Sequence, residues 1–246
     1  MKYIMILLAF IGQFLAQPSF AADYAREKKW ADEVVPGIVV GDPVYLRQSN
    51  KHQLLTLYTP VKDAKTAIIL VHGRGVHPDW GMIGVLRSSL ADQGYTTLSV
   101  QMPVLKNDAN DEDYVSTFPE AKERLRLAVD FLKSKGYSRI VIDSHSLGSW
   151  MTYAYLTDHP DPAVKAWVAI GVGAKLDFSK LKLPVLDLFG ENDFPEVLAH
   201  APEREKALAG KPGSRQQMIP NADHFYTGMD TELVKAVADY LNATFK

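Results

Sequence analysis

Residues Arg139–Leu156, RIVIDSHSLGSWMTYAYL, join two patterns at one corner. A β-branched apolar run over Arg139–Asp143 stops at Ser144-His145-Ser146-Leu147-Gly148, and a helical pattern over Leu147–Asp158 starts at once. In an open parallel sheet, ligands sit at the carboxyl ends of the strands, and Ser146 falls at such an end. A serine hydroxyl is a weak nucleophile and needs both a base and a fixed, exposed position. A sharp strand–turn–helix corner supplies the position. The chain passes so close to its neighbours there that small residues are required two places either side of the serine, as Ser144 and Gly148 are. The helix start beneath offers free N–H groups and positive potential to a developing oxyanion.

Working outward, the same alternation recurs. Ala67–Val71 is a continuous apolar run, as in a strand buried on both faces. A glycine loop and a helix over Met82–Gln93 follow, closed by Gly94. Thr96–Val100 is the next strand, Met102–Phe118 a long acidic loop, and Pro119–Lys135 a helix ended by Gly136. Strands are expected at Val164–Ile170, Pro184–Phe189 and Gln216–Ile219, and helices at Pro195–Ala209 and Thr231–Phe245. Ahead of these, Ile38–Arg47 and His52–Tyr58 flank the polar turn Gln48–Lys51 and predict an antiparallel hairpin. Residues 22–37 read as a leader segment or as a short helix wrapped on the domain. The fold class expected is α/β: a mostly parallel central sheet with helices on both faces and right-handed crossovers.

The first 21 residues differ from the rest. Lys2 is their only charge, Tyr3–Leu15 is nearly all apolar, and Ser19 and Ala21 stand where a signal peptidase reads. The reading is a secretory signal peptide cut after Ala21, followed by a single domain over 22–246. A membrane anchor is the competing reading, but spanning needs about 20 apolar residues and this run is shorter. No later segment is long and apolar enough, so no stable membrane insertion is expected after cleavage. The 246 residues carry a net charge of −2 and no basic block, which argues against a nucleic-acid partner. There is no cysteine, which removes disulfides, a thiol nucleophile and thiolate metal sites. An exported protein without disulfides suits a bacterial periplasm or secretion.

Ser144–Gly148 resembles the G-x-S-x-G nucleophile elbow of the α/β-hydrolase superfamily, with Ser144 in place of the first glycine. His72-Gly73-Arg74-Gly75 resembles the superfamily's His-Gly oxyanion loop; Gly73 and Gly75 could equally serve only to turn it. The resemblance implies an oxyanion hole made by the N–H groups of Arg74 and Leu147. The superfamily order is serine, acid, histidine. Asp193 stands in the loop Gly190–Pro195 that would carry the acid, and His224 in Asn221–Phe225, just before the last helix, where the histidine belongs. Asp187, Glu191 and Asp223 are rivals for the acid. His72 is expected to hold its loop and His145 to pack. The stretch from His72 to Leu105 also looks like an exported, functionally unassigned bacterial group, DUF3530.

The resemblance implies a serine hydrolase that cleaves an ester-type acyl bond through Ser146, His224 and Asp193, with a small-molecule or acyl-ester substrate and no cofactor. A zinc site at His72, His77 and Asp79 lacks the H-E-x-x-H pattern, so no metal is expected. Gly171–Leu183 is too short for a cap domain, which implies a shallow or open pocket, partly covered by the Met102–Phe118 loop. His77 and Trp80 are candidates to line its mouth, although Trp80 could instead pack at a helix start. The alternative is a catalytically silent α/β-hydrolase fold that binds a partner or an envelope component.

Overall fold

The computed structural model describes residues 22–245; the expected signal peptide lies outside them. Eight strands form one sheet in the order β1-β2-β4-β3-β5-β6-β7-β8. Asp42–Arg47 (β1) and Gln53–Thr59 (β2) are the expected hairpin, with Arg47 opposite Gln53. β2 runs antiparallel to Thr96–Val100 (β4), and from β4 onward every pairing is parallel. The parallel members are Ala67–Val71 (β3), Ile140–His145 (β5), Val164–Ile170 (β6), Val185–Asn192 (β7) and Arg215–Asp223 (β8). β3 and β4 are buried along their whole length, which is why β3 is an unbroken apolar run rather than an alternating one; in β4 the buried hydroxyl of Ser99 is satisfied by the Pro78 carbonyl.

The helices cover both faces. Phe118–Ser134 (α3) and Leu147–Leu156 (α4) pack on one, in a cluster containing Leu125, Val129, Met151 and Trp167. Gly81–Asp92 (α2) and Asp230–Phe245 (α6) cover the other, around Leu86, Leu90, Val237 and Leu241. Pro195–Leu208 (α5) packs beside β7, where Arg204 bonds the buried carboxylate of Asp187 at 2.8 Å and the Val172 carbonyl at 2.9 Å.

Of the two readings of residues 22–37, the helix is the one found: Tyr24–Val34 (α1), capped by the Asp23 side chain, which accepts from the Arg26 N–H. Its anchor is Glu27, only 4% exposed, which pairs with the fully buried Arg124 and with His52. Arg26 reaches further and donates to the carbonyls of Leu105 at 2.6 Å and Gly75 at 3.1 Å. α1 therefore straps the glycine loop after β3 to the loop after β4. β8 runs four residues past its expected end at Ile219, through Pro220. It is the edge strand, so the missing proline N–H leaves no partner short. A register shift between Gly190 and Asn192 accommodates the extension, and Asn192 pairs with Asp223.

Candidate active site

Ser146 occupies the one-residue corner between β5 and α4 with φ 55° and ψ −125°. A residue with a Cβ rarely adopts this conformation, and holding it costs on the order of 1–3 kcal/mol. The surroundings enforce it. The Ser146 N–H donates to the Ile170 carbonyl at 2.9 Å, and α4 enters so tightly that a Cβ on Gly148 would lie 2.3 Å from the His72 carbonyl oxygen. Ser144, the departure from glycine, is fully buried and has a use for its hydroxyl: it accepts the Trp167 indole N–H at 2.7 Å. The corner thus presents a half-buried hydroxyl on a rigid support.

Asp193 and His224 meet across the β7–α5 and β8–α6 links. The Nδ1–H of His224 donates to Asp193 Oδ1 at 2.5 Å. The same oxygen accepts the Phe194 N–H at 2.8 Å, and Oδ2 accepts the Gly190 N–H at 3.2 Å. The three sequence rivals are engaged elsewhere. Asp187 is bound to Arg204 and Gln216, Glu191 accepts the Asn221 N–H, and Asp223 caps the N–H groups of Phe225 and Thr227. Of the four carboxylates, Asp193 alone is hydrogen-bonded to the imidazole among the described residues. Gly171, at φ +61°, makes room for that ring: a Cβ there would stand 2.9 Å from His224 Cε1.

Ser146, His224, Arg74 and Leu147 all line one cleft of about 630 Å³. The N–H groups of Arg74, in the turn after β3, and of Leu147, first in α4, have no hydrogen-bond partner among the described residues. First-turn helical N–H groups have no intrahelical acceptor, so Leu147 presents a free donor beside the serine. Gly73 brings the other loop close, since a Cβ on it would lie 3.2 Å from Ser146 Cβ. His72 locks that loop: its Nδ1–H donates to the Gly73 carbonyl, and its Nε2 accepts the Met102 N–H. Burial holds the ring neutral, with a pKa lowered to about 3.

Trp80 lines the cleft, edge-on to Phe225 at 5.6 Å. His77 does not. Its ring packs edge-on against Trp30 of α1, and its Nδ1 accepts the Asp79 N–H, so the expectation that it faces the mouth is corrected. Its displacement follows from α1, whose packing partners the sequence did not specify. His145 is more than filler: its Nε2–H donates to the His224 carbonyl at 2.9 Å. The zinc reading fails on the partners of its members, because Asp79 binds Arg87 and both His72 nitrogens are bonded within the fold.

Only Gly171–Pro184 separates β6 from β7, and no cap stands over the cleft among the described residues. The acidic loop lends partial cover: Asp111 and Glu112 line the rim, and Asp111 pairs with Arg74 at 3.1 Å. Sequence reasoning missed Trp150, Phe194 and Phe225, which form much of the wall. Phe194 carries the one available signal, its place next to Asp193.

The chain has the α/β-hydrolase fold. Structure comparison pairs it with dienelactone hydrolase from Anabaena variabilis at a TM-score of 0.67 and 19% identity, covering 83% of this chain and 99% of that one. Est1E from Butyrivibrio proteoclasticus matches at 0.66 and 16%, covering 82% and 98%. XC6422 from Xanthomonas campestris, an α/β serine hydrolase without lid, matches at 0.63 and 14%, covering 84% and 95%. The family of unknown function DUF3530 matches residues 44–122, from β1 into α3. No curated protein matches the chain.

Proposed function

We propose that this α/β-hydrolase-fold protein is an exported serine hydrolase that cleaves an ester-type acyl bond through an acyl-enzyme. The observation that carries the reading is the 2.5 Å bond from His224 to Asp193, in the cleft that also holds a strained Ser146. Donation from Nδ1 to the carboxylate leaves Nε2 with its lone pair, which is the tautomer a general base needs. His224 takes the Ser146 proton as Oγ attacks the acyl carbon, and Asp193 stabilises the resulting imidazolium. The N–H groups of Leu147 and Arg74 receive the oxyanion, each donor lowering the barrier by about 3–4 kcal/mol. The imidazolium protonates the departing alcohol, and a water activated by the same ring then releases the acid.

The lidless cleft and its aromatic walls favour small or medium acyl groups. Export rests on the sequence of residues 1–21. The test is labelling of the mature protein with a fluorophosphonate, beside Ser146→Ala. Labelling of the parent alone supports the reading. If native parent and variant both stay unlabelled, the silent binding fold replaces it.

A further inference from the structure

We propose that Phe194 is a positioning residue whose ring face supports His224 while that imidazole carries the serine proton. The proposal rests on the serine-hydrolase reading above and assigns a role to a residue that neither the fold nor the triad requires.

Phe194 is a large apolar side chain left 47% exposed at the wall of the cleft. Its ring lies flat on the His224 imidazole, with centroids 4.0 Å apart and planes 20° from parallel. The placement is not loose. Its own N–H is bonded to Asp193 Oδ1, and Pro195 opens α5 immediately after it. The residue that orients the acid and the ring that covers the base are thus the same residue. Phe225 adds an edge-on contact to His224 at 5.1 Å and to Phe194 at 5.9 Å, which keeps the stack from sliding.

The π-face of an aromatic ring carries negative potential and attracts a cation placed over it. Stacking on a neutral imidazole yields little of this, and stacking on an imidazolium yields the full interaction. Serine attack converts the first into the second. An interaction that strengthens as charge develops lowers the barrier rather than merely binding the ground state. An aliphatic side chain in the same place would still shield the ring from water but would lack the attraction.

The other groups facing His224 do not change with residue 194. Asp193 approaches from the β7–α5 link. His145 approaches from β5 with centroids at 4.6 Å, and burial and the neighbouring His224 lower its pKa to about 3, so it adds no charge. Gly171 presents only backbone from the end of β6. Arg74, Asp111, Glu112, Lys175 and Glu196 line the same cleft.

The experiment compares Phe194→Leu and Phe194→Trp with the parent. The imidazole Cε1–H resonance of His224, assigned by its loss in His224→Gln, is followed by NMR against pH, each substitution being placed in Ser146→Ala so that no turnover intervenes. Phe194→Leu is expected to lower the midpoint by about half a pH unit, and Phe194→Trp to restore it. With Ser146 intact, Phe194→Leu should reduce kcat about threefold and leave KM close to the parent's. An unchanged or raised midpoint in Phe194→Leu overturns the role even where turnover is intact. A parent without Ser146-dependent turnover removes the hydrolase reading, and the role with it, whatever the midpoint does.

Discussion

The ring of His145 is bonded to the backbone of His224: Nε2–H of the first donates to the carbonyl oxygen of the second across 2.9 Å. The residue before Ser146 therefore fixes the height of the His224 backbone above that corner. Substituting Phe for His145 keeps a ring of similar size and removes the donor, leaving a buried carbonyl unpaired at about 1–3 kcal/mol. His145→Phe is expected to reduce kcat at least tenfold and to lower the melting temperature by several degrees. Ester turnover and calorimetry on the same preparation check both.

Ser146 holds a backbone conformation that glycine adopts without strain. Ser146→Gly is therefore expected to abolish activity yet melt higher than Ser146→Ala, by the equivalent of about 1 kcal/mol. Equal melting temperatures for the two variants would show that the corner stores no strain. Gly148→Ala works in the opposite sense. Its Cβ meets the His72 carbonyl oxygen at 2.3 Å, so it should lose both stability and activity.

Asp143 lies in the middle of β5, fully buried, with neither carboxylate oxygen hydrogen-bonded among the described residues. Burial pushes its pKa up to about 8. The folded chain thus holds this proton more tightly than the unfolded one. The stabilisation is complete below the usual carboxylate range near pH 4 and is lost as pH rises towards 8. Asp143→Asn removes that dependence. Its melting temperature relative to the parent should improve from pH 5 to about pH 8 and level off above that, whatever the offset at pH 5. A constant difference across the range contradicts the assignment.

Glu27 and Lys28 are neighbours in α1 with opposite surroundings. Glu27 is the buried partner of Arg124, itself without exposed surface, whereas Lys28 pairs with Asp32 on the open face of the helix. Glu27→Ala leaves Arg124 with Glu120 at 2.6 Å and the Gln101 carbonyl at 2.9 Å, so it should cost less than the about 3–5 kcal/mol of a fully stranded buried charge, yet more than the loss of an exposed pair, which contributes little. Glu27→Ala should shift the urea midpoint clearly, and Lys28→Ala should leave it nearly in place.

The sheet and its helices were legible because their signals are local. Buried runs such as Ala67–Val71, and the glycines closing α2 and α3, each announce an element without reference to the rest. The corner at Ser146 was legible for the same reason, since strand, tight turn and helix are contiguous there. The acid was less so. Asp187 lies inside β7 and is the weaker rival, but Glu191, Asp193 and Asp223 all stand near carboxyl ends of strands, and only the approach of the β8–α6 link selects the one that meets His224. The cleft walls were hidden further. Trp150, Phe194 and Phe225 come from three different elements, and His77 was misplaced because its partner Trp30 lies on a helix whose docking depends on Glu27 finding Arg124. Sequence spacing carries no information on contacts of that kind.

The proposed hydrolase requires that Ser146 become acylated. Rapid mixing of the mature protein with a p-nitrophenyl ester tests it directly, with the quenched sample digested and the acylated peptide located by mass spectrometry. A burst of p-nitrophenol close to one equivalent is expected, with the added acyl mass on the peptide that contains Ser146. An acyl group on any other residue, or undiminished turnover by Ser146→Ala, contradicts it.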